Sequence, residues 1–252
     1  MDDILHALTD QQAELSALLD GLDRAEWDSP SPCEGWTVAD VVLHLAQTNE
    51  MAIGSVRHRL PEVLALLTAG LAPTAADVDA GAAAMVEAQR DVPPESIRRR
   101  WQDSTDELAA LLTAADPHER VTWVAGELSI HTLATTRLAE TWIHTGDVAD
   151  AVHLALVPTD RLRHVARLAW RTLPYAFARA GRELNGPVAF DLVAPAGGAW
   201  IFEPEGVART TIRGDGVELC RVAARRVEPS ATGLVGVGPD AEAVLELVRT
   251  YA

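Results

Sequence analysis

The sequence predicts an α+β protein: a helix bundle over residues 1–183 followed by a small α/β domain over 184–252. Three observations predict it. Up to about residue 182 the chain is rich in Ala and Leu, with apolar residues at helical spacing. Clusters of Pro, Gly, Asp and Ser at 28–35, 72–77, 91–95 and 116–127 interrupt that spacing, which leaves long helices joined by short connections. After Gly186 the period drops to two between turn residues, as in half-buried strands.

Taken in order, the first helix spans about 3–22 and ends at Gly21. The second starts after "SPCEGWT", with Thr37 as its cap and Asp40 three residues on, a carboxylate suited to the positive end of a helix. The third covers about 74–90 and the fourth 94–115. A fifth runs over 129–154, from Ser129 to the break at Pro158, and a sixth from Thr159 to Gly181. Then "PVAFDLVAP", "GAWIFEP" and "ARTTIRG" read as strands, "GDGVELCRVAARRV" as a helix and "TGLVGVG" as a strand. A closing helix starts at Gly238-Pro239-Asp240, with Pro at its first position.

A chain of 252 residues with 48% hydrophobic residues can bury a substantial core. Its net charge of −16 repels nucleic acid and anionic lipid, and no basic block reverses that locally, so neither is an expected partner. The start, "MDDILHALTDQQAEL", lacks the basic residues and apolar run of a secretion signal, and no stretch approaches the ~18 apolar residues that span a bilayer. A cytoplasmic protein, monomer or homodimer, is expected. Cys33 and Cys220 lie far apart in differently patterned regions and read as two reduced thiols. The tripeptide "RGD" at 213–215 has no partner in such a setting, and "GLVGVG" lacks the spacing of a dinucleotide site.

The chemistry concentrates in "RLAETWIHTGD", where Arg137, Glu140, His144 and Asp147 recur at helical intervals and so share one face. Glu140 and His144 can offer an oxygen and a nitrogen to one ion. Asp147 can accept the other ring N–H of His144, and Arg137 suits an anionic substrate better than a metal. A solvated face carrying a Glu/His surface pair accounts for the same spacing. Two ligands are also too few for a catalytic zinc, which normally takes three from the protein. His44, at the edge of the apolar face of "GWTVADVVLHLAQ", is either a core histidine or the third ligand, because bundles build metal sites from facing helices. His6, His58, His118, His131, His153 and His164 are less well placed.

Both segments resemble motifs of the DinB-like helical bundle proteins, and among them the actinobacterial enzymes related to mycothiol-dependent maleylpyruvate isomerase. "SPCEGWTVADVVLHLA" is similar to the entry to that family's second helix, and "RLAETWIHTGDVADAV" to its R-x-x-E-x-x-x-H-x-x-D-x-x-x-A motif. "TIRGDGVELCRVAARR" and "GPDAEAVLELV" look like the smaller, sterol-carrier-like domain such proteins append. The resemblance implies that His44, Glu140 and His144 bind a divalent metal, zinc by preference, that Trp36 packs at the start of the metal-bearing helix, and that Asp147 supports a ligand.

It further implies a small thiol such as mycothiol as metal-bound nucleophile toward a small electrophilic substrate, giving S-transfer or cis–trans isomerisation. Arg137 and Asp147 are then the residues beside the ion that serve the reaction, and Arg90 or Arg98 to Arg100 can anchor a carboxylate or the thiol's sugar. Two other readings stay open: a thiol-independent metal hydrolase, lyase or cyclase of specialised metabolism, and a non-catalytic metal-binding protein.

Overall fold

The computed structural model describes residues 1–71 and 78–250, and the chain divides into two compact units, Met1–Leu156 and Val157–Ala252. In the first, helix α1 (Asp2–Asp20) is followed by a single turn, α2 (Arg24–Trp27), and by the long helix α3 (Val38–Val56). Shorter helices α4 (Leu60–Leu67) and α5 (Val78–Glu87) lead to α6 (Pro94–Ala114). A hairpin of β1 (Arg120–Trp123) and β2 (Gly126–Ser129) then feeds α7 (Ile130–Ala151).

Four of these helices close into a bundle, with α1 and α3 each packed on both α6 and α7. Leu15, Leu19, Val41, Val42, Leu45, Ile97, Trp101 and Val148 interlock in its core. Helices α3 and α7 are buried on nearly every side. A helix buried all round is normally apolar all round. The polar residues that α3 and α7 carry therefore lie inside the bundle, and that placement creates the site.

The start of α3 is held tightly. Thr37 and Asp40 form a reciprocal cap: the Asp40 amide donates to Thr37 Oγ1 at 3.3 Å and the Thr37 amide to Asp40 Oδ2 at 2.9 Å. Ser129 caps α7 by accepting the Thr132 amide at 3.2 Å. Both starts fall where the sequence places them.

Several elements differ from the expectation: α2 and α4 are helices the sequence reading does not separate, and the closing helix starts at Ala241, so Pro239 precedes it. The region around 116–127, read as a break, contains the hairpin, whose return strand begins at Gly126 with φ of +115°, a backbone state that favours glycine. The helix expected over 74–90 is α5, and its residues 74–77 lie outside the described residues. The single helix expected from Thr159 to Gly181 is two, α8 (Leu162–Arg171) and α9 (Leu173–Arg179). Pro174, at the start of α9, has no N–H and its ring would clash with the turn before it.

The second unit adds β3 (Val188–Val193), β4 (Ala199–Phe202), β5 (Thr210–Asp215), α10 (Gly216–Ala223), β6 (Val235–Val237) and α11 (Ala241–Leu247). The strand order is β4-β3-β5-β6, with β3 and β5 parallel and the outer pairs antiparallel, so the sheet is mixed. Val188, Phe190, Leu192, Trp200, Phe202 and Ile212 are buried at alternate positions. Helix α8 packs against α10 and β4, and the Trp170 indole N–H donates to the Val188 carbonyl at 2.8 Å. By packing the division falls at 156/157, whereas the change of period marks 183/184. The difference is α8 and α9, which are helical in pattern yet pack within the second unit, α8 on β4 and α10 and α9 on α11.

Candidate metal centre

His44 lies two turns into α3, and Arg137, Glu140, His144 and Asp147 follow one another along α7, which α3 packs against. All five keep 8% or less of their surface exposed, so the solvated-face reading of this stripe does not hold. The rings of His44 and His144 meet edge to face, 5.0 Å between centroids. Glu140 Oε2 stands 3.5 Å from His44 Nε2 and 3.7 Å from His144 Nε2. Ligand atoms about 2.1 Å from a tetrahedral ion are separated by roughly 3.4 Å. The spacing and the donor set, two imidazole nitrogens and a carboxylate oxygen, thus fit one divalent ion such as zinc, three of the four ligands of a tetrahedral shell.

What surrounds these atoms sets their roles. Asp147 Oδ2 lies 2.9 Å from His144 Nδ1, which keeps a proton on that nitrogen and turns Nε2 toward Glu140. Cys33 Sγ donates to the same oxygen at 3.2 Å. Among the described residues nothing bonds His44 Nδ1, but the indole of Trp36 lies against its ring at 5.1 Å. Arg137 is buried over the Trp123 ring at 5.4 Å, with Nη2 3.8 Å from Glu140 Oε2 and with Nε and Nη1 unpartnered among the described residues. A buried guanidinium with two unused N–H edges is a receptor for an anion.

The loop before α3 supplies two of these contacts. It is pinned by the Ser31 amide to the Trp36 carbonyl at 2.8 Å and by Val38 to Ser29 at 3.0 Å. Gly35 makes the turn at φ of +75°, and Arg90 Nη2 donates to its carbonyl at 3.2 Å. Arg90 therefore holds the loop rather than a reactant. Arg98 and Arg100 are paired with Asp20 and Glu50, and Arg99 is exposed, so the basic run is not brought to the centre. Of the other six histidines, His6, His58, His118 and His153 are exposed and His131 and His164 half-buried.

Sequence reasoning missed two residues of the site. Trp123 reaches Arg137 only because of the unexpected hairpin; the alternation in "RVTW" ahead of Gly126 was its trace. From the sequence Cys33 reads only as a reduced thiol, and no spacing rule ties it to Asp147, 114 positions away.

The charges respond to this packing. Burial lowers the His44 pKa below the usual imidazole value, so His44 is neutral. Burial pushes Glu140 up, but His44 and the charges of Arg137 and His144 outweigh it and hold the carboxyl below its usual range. Burial alone would lower His144; its contacts with Asp147 and Cys33 and the charge of Glu140 reverse this and push it up to about 9. A raised histidine stabilises the fold fully below pH 6.5 and loses that contribution as pH rises through about 9. The metal-free protein is accordingly expected to lose up to about 3 kcal/mol of unfolding free energy between pH 7 and 10. With no lysine and two tyrosines in the chain, few other groups titrate there. Urea unfolding across that range checks it, and a flat profile contradicts the pairing.

Residues 8–149 match the family described as the mycothiol maleylpyruvate isomerase N-terminal domain. Over 240 residues the chain is 30% identical to an uncharacterized protein of Mycobacterium tuberculosis, found in two strains, covering 95% of this chain and 91% of that protein. Among solved structures it is similar to the crystal structure of the mycothiol-dependent maleylpyruvate isomerase, with 20% identity and a TM-score of 0.61. A mutant of that isomerase gives 19% identity and the same TM-score, and both alignments cover 93% of this chain and 92% of the other. At such identity the likeness extends to the fold. Among the described residues no helix is long and apolar enough to cross a membrane.

Proposed function

The chain belongs to the mycothiol maleylpyruvate isomerase N-terminal domain family, and on that premise we propose that it is a metal-dependent enzyme acting on a small electrophilic substrate with a low-molecular-weight thiol of the mycothiol kind. His44, Glu140 and His144 hold one divalent ion, zinc by its preference for these donors. When bound, such an ion supplies Lewis acidity that makes an incoming thiol or water acidic near neutral pH.

The chain's own residues do the rest. Asp147 keeps the His144 ring in the orientation that presents Nε2. Trp36 and Trp123 cover His44 and Arg137 and limit access by water. Arg137 directs its free N–H edge at an anionic group of a reactant. With a divalent ion bound, both histidines would be neutral ligands, and the ion and Arg137 set against Glu140 and Asp147 would leave one net positive charge in a buried space, which favours a thiolate or carboxylate as the entering group. Addition of the thiol to the electrophilic carbon, followed by release after bond rotation, gives isomerisation; retention gives an S-conjugate.

The convergence of three buried ligand atoms from two helices carries this reading. Elemental analysis after loading with Ni²⁺, of the wild type beside His44→Ala and His144→Ala, tests it. Stoichiometric metal in the wild type, absent from both variants at unchanged helicity, is expected. Turnover of the metal-loaded protein should then depend on added thiol. Metal retained by either variant overturns the ligand assignment, and equal turnover without thiol overturns the thiol chemistry.

A further inference from the structure

We propose that Cys33, His144 and Asp147 form a second cation seat, selective for thiophilic ions such as Cd²⁺, which engages His144 through Nδ1, the ring nitrogen opposite the one that faces Glu140. Cys33 Sγ and His144 Nδ1 lie 3.2 and 2.9 Å from Asp147 Oδ2, and one ligand atom from each of the three residues lies within 4.8 Å of the others. Metal–sulfur bonds of about 2.3 Å and metal–nitrogen or –oxygen bonds of about 2.0 Å separate neighbouring ligand atoms by roughly 3.3–3.5 Å. The two contacts with Asp147 need to lengthen by only a few tenths of an ångström.

The two seats differ in chemistry. The one that includes His44 offers nitrogen and oxygen only, whereas Cys33 adds a soft, polarisable sulfur that ranks thiophilic cations above Mn²⁺ or Mg²⁺. They differ in access too: Asp147 and His144 are buried, but Cys33 is half-buried on its pinned loop, so an ion reaches it from the solvent side without the bundle opening. As the ion enters, the Cys33 S–H and His144 Nδ1–H protons leave to solvent. A neutral imidazole has one lone pair, so His144 serves one seat at a time and the seats compete. The competition rests on the ligand set proposed above; the seat itself does not.

Metal-free protein titrated separately with Cd²⁺ and with Ni²⁺ tests this. With Cd²⁺, a thiolate-to-metal charge-transfer band in the ultraviolet is expected in the wild type and in His44→Ala, and not in Cys33→Ser. With Ni²⁺, binding is expected to vanish in His44→Ala and persist in Cys33→Ser. No band in the wild type, or a band that survives in Cys33→Ser, overturns the proposal. Should Cys33→Ser fail to fold, alkylation of the wild type decides: Cd²⁺ should shield Cys33 from iodoacetamide, mapped by mass spectrometry with buried Cys220 as internal reference, and absence of shielding overturns the seat. Ni²⁺ binding that ignores His44→Ala would instead overturn the ligand set proposed under function and leave this seat standing.

Discussion

Glu140→Ala is expected to destabilise the metal-free protein by about 3–5 kcal/mol, the usual cost of leaving one member of a buried ion pair alone. The loss comes from Arg137 rather than from Glu140. The guanidinium keeps 3% of its surface exposed, sits over Trp123 and has two nitrogens without a hydrogen-bond partner. The carboxylate at 3.8 Å is the counter-charge the structure shows for it, and that distance is a Coulombic contact, not a hydrogen bond. Removing Glu140 leaves a desolvated cation inside the bundle. Adding Arg137→Leu to Glu140→Ala should restore most of the lost stability, because the leucine fills similar space beside Trp123 with no charge to satisfy. Urea unfolding of the two single variants and the double variant measures this. A loss under about 1 kcal/mol in Glu140→Ala, or no recovery in the double variant, contradicts it, since an effect that small belongs to exposed pairs.

The second large effect is on metal affinity. Asp147→Ala is expected to weaken binding of the divalent ion about 10–100-fold without touching a ligand of the His44, Glu140 and His144 set, as loss of a carboxylate behind a ligating histidine commonly does. With Asp147 gone, the proton on His144 Nδ1 loses its acceptor, and the ring is free to turn or to place its proton on Nε2, where it blocks the ion. Asp147→Asn, which keeps an accepting oxygen but not the charge, should fall between. Competition against a chromogenic chelator gives the affinities, and circular dichroism shows whether α7 is intact. Unchanged affinity in Asp147→Ala would mean that packing alone orients His144.

Local pattern carried much of this. The starts of α3 and α7 follow from Thr37, Asp40 and Ser129, because a cap is a matter of a few neighbouring residues. Arg137, Glu140, His144 and Asp147 share one face because a helix repeats every 3.6 residues. Spacing could not say whether that face was wet. It is buried because α7 packs on both α1 and α3, and only the contacts between helices decide that. The same holds for α8 and α9, whose helical pattern was legible but whose packing, α8 on β4 and α10 and α9 on α11, was not.

The sequence by itself determined most of the helices, the alternating strands after Gly186 and the short intervals along α7, since propensity, capping and periodicity act over a few residues. Only the tertiary structure decided that His44 stands 3.5 Å from Glu140, that Cys33 reaches Asp147 and that Trp123 lies over Arg137. These pairs are far apart along the chain, and what joins them is the burial of apolar faces in the core, a force that is roughly proportional to area and has no direction.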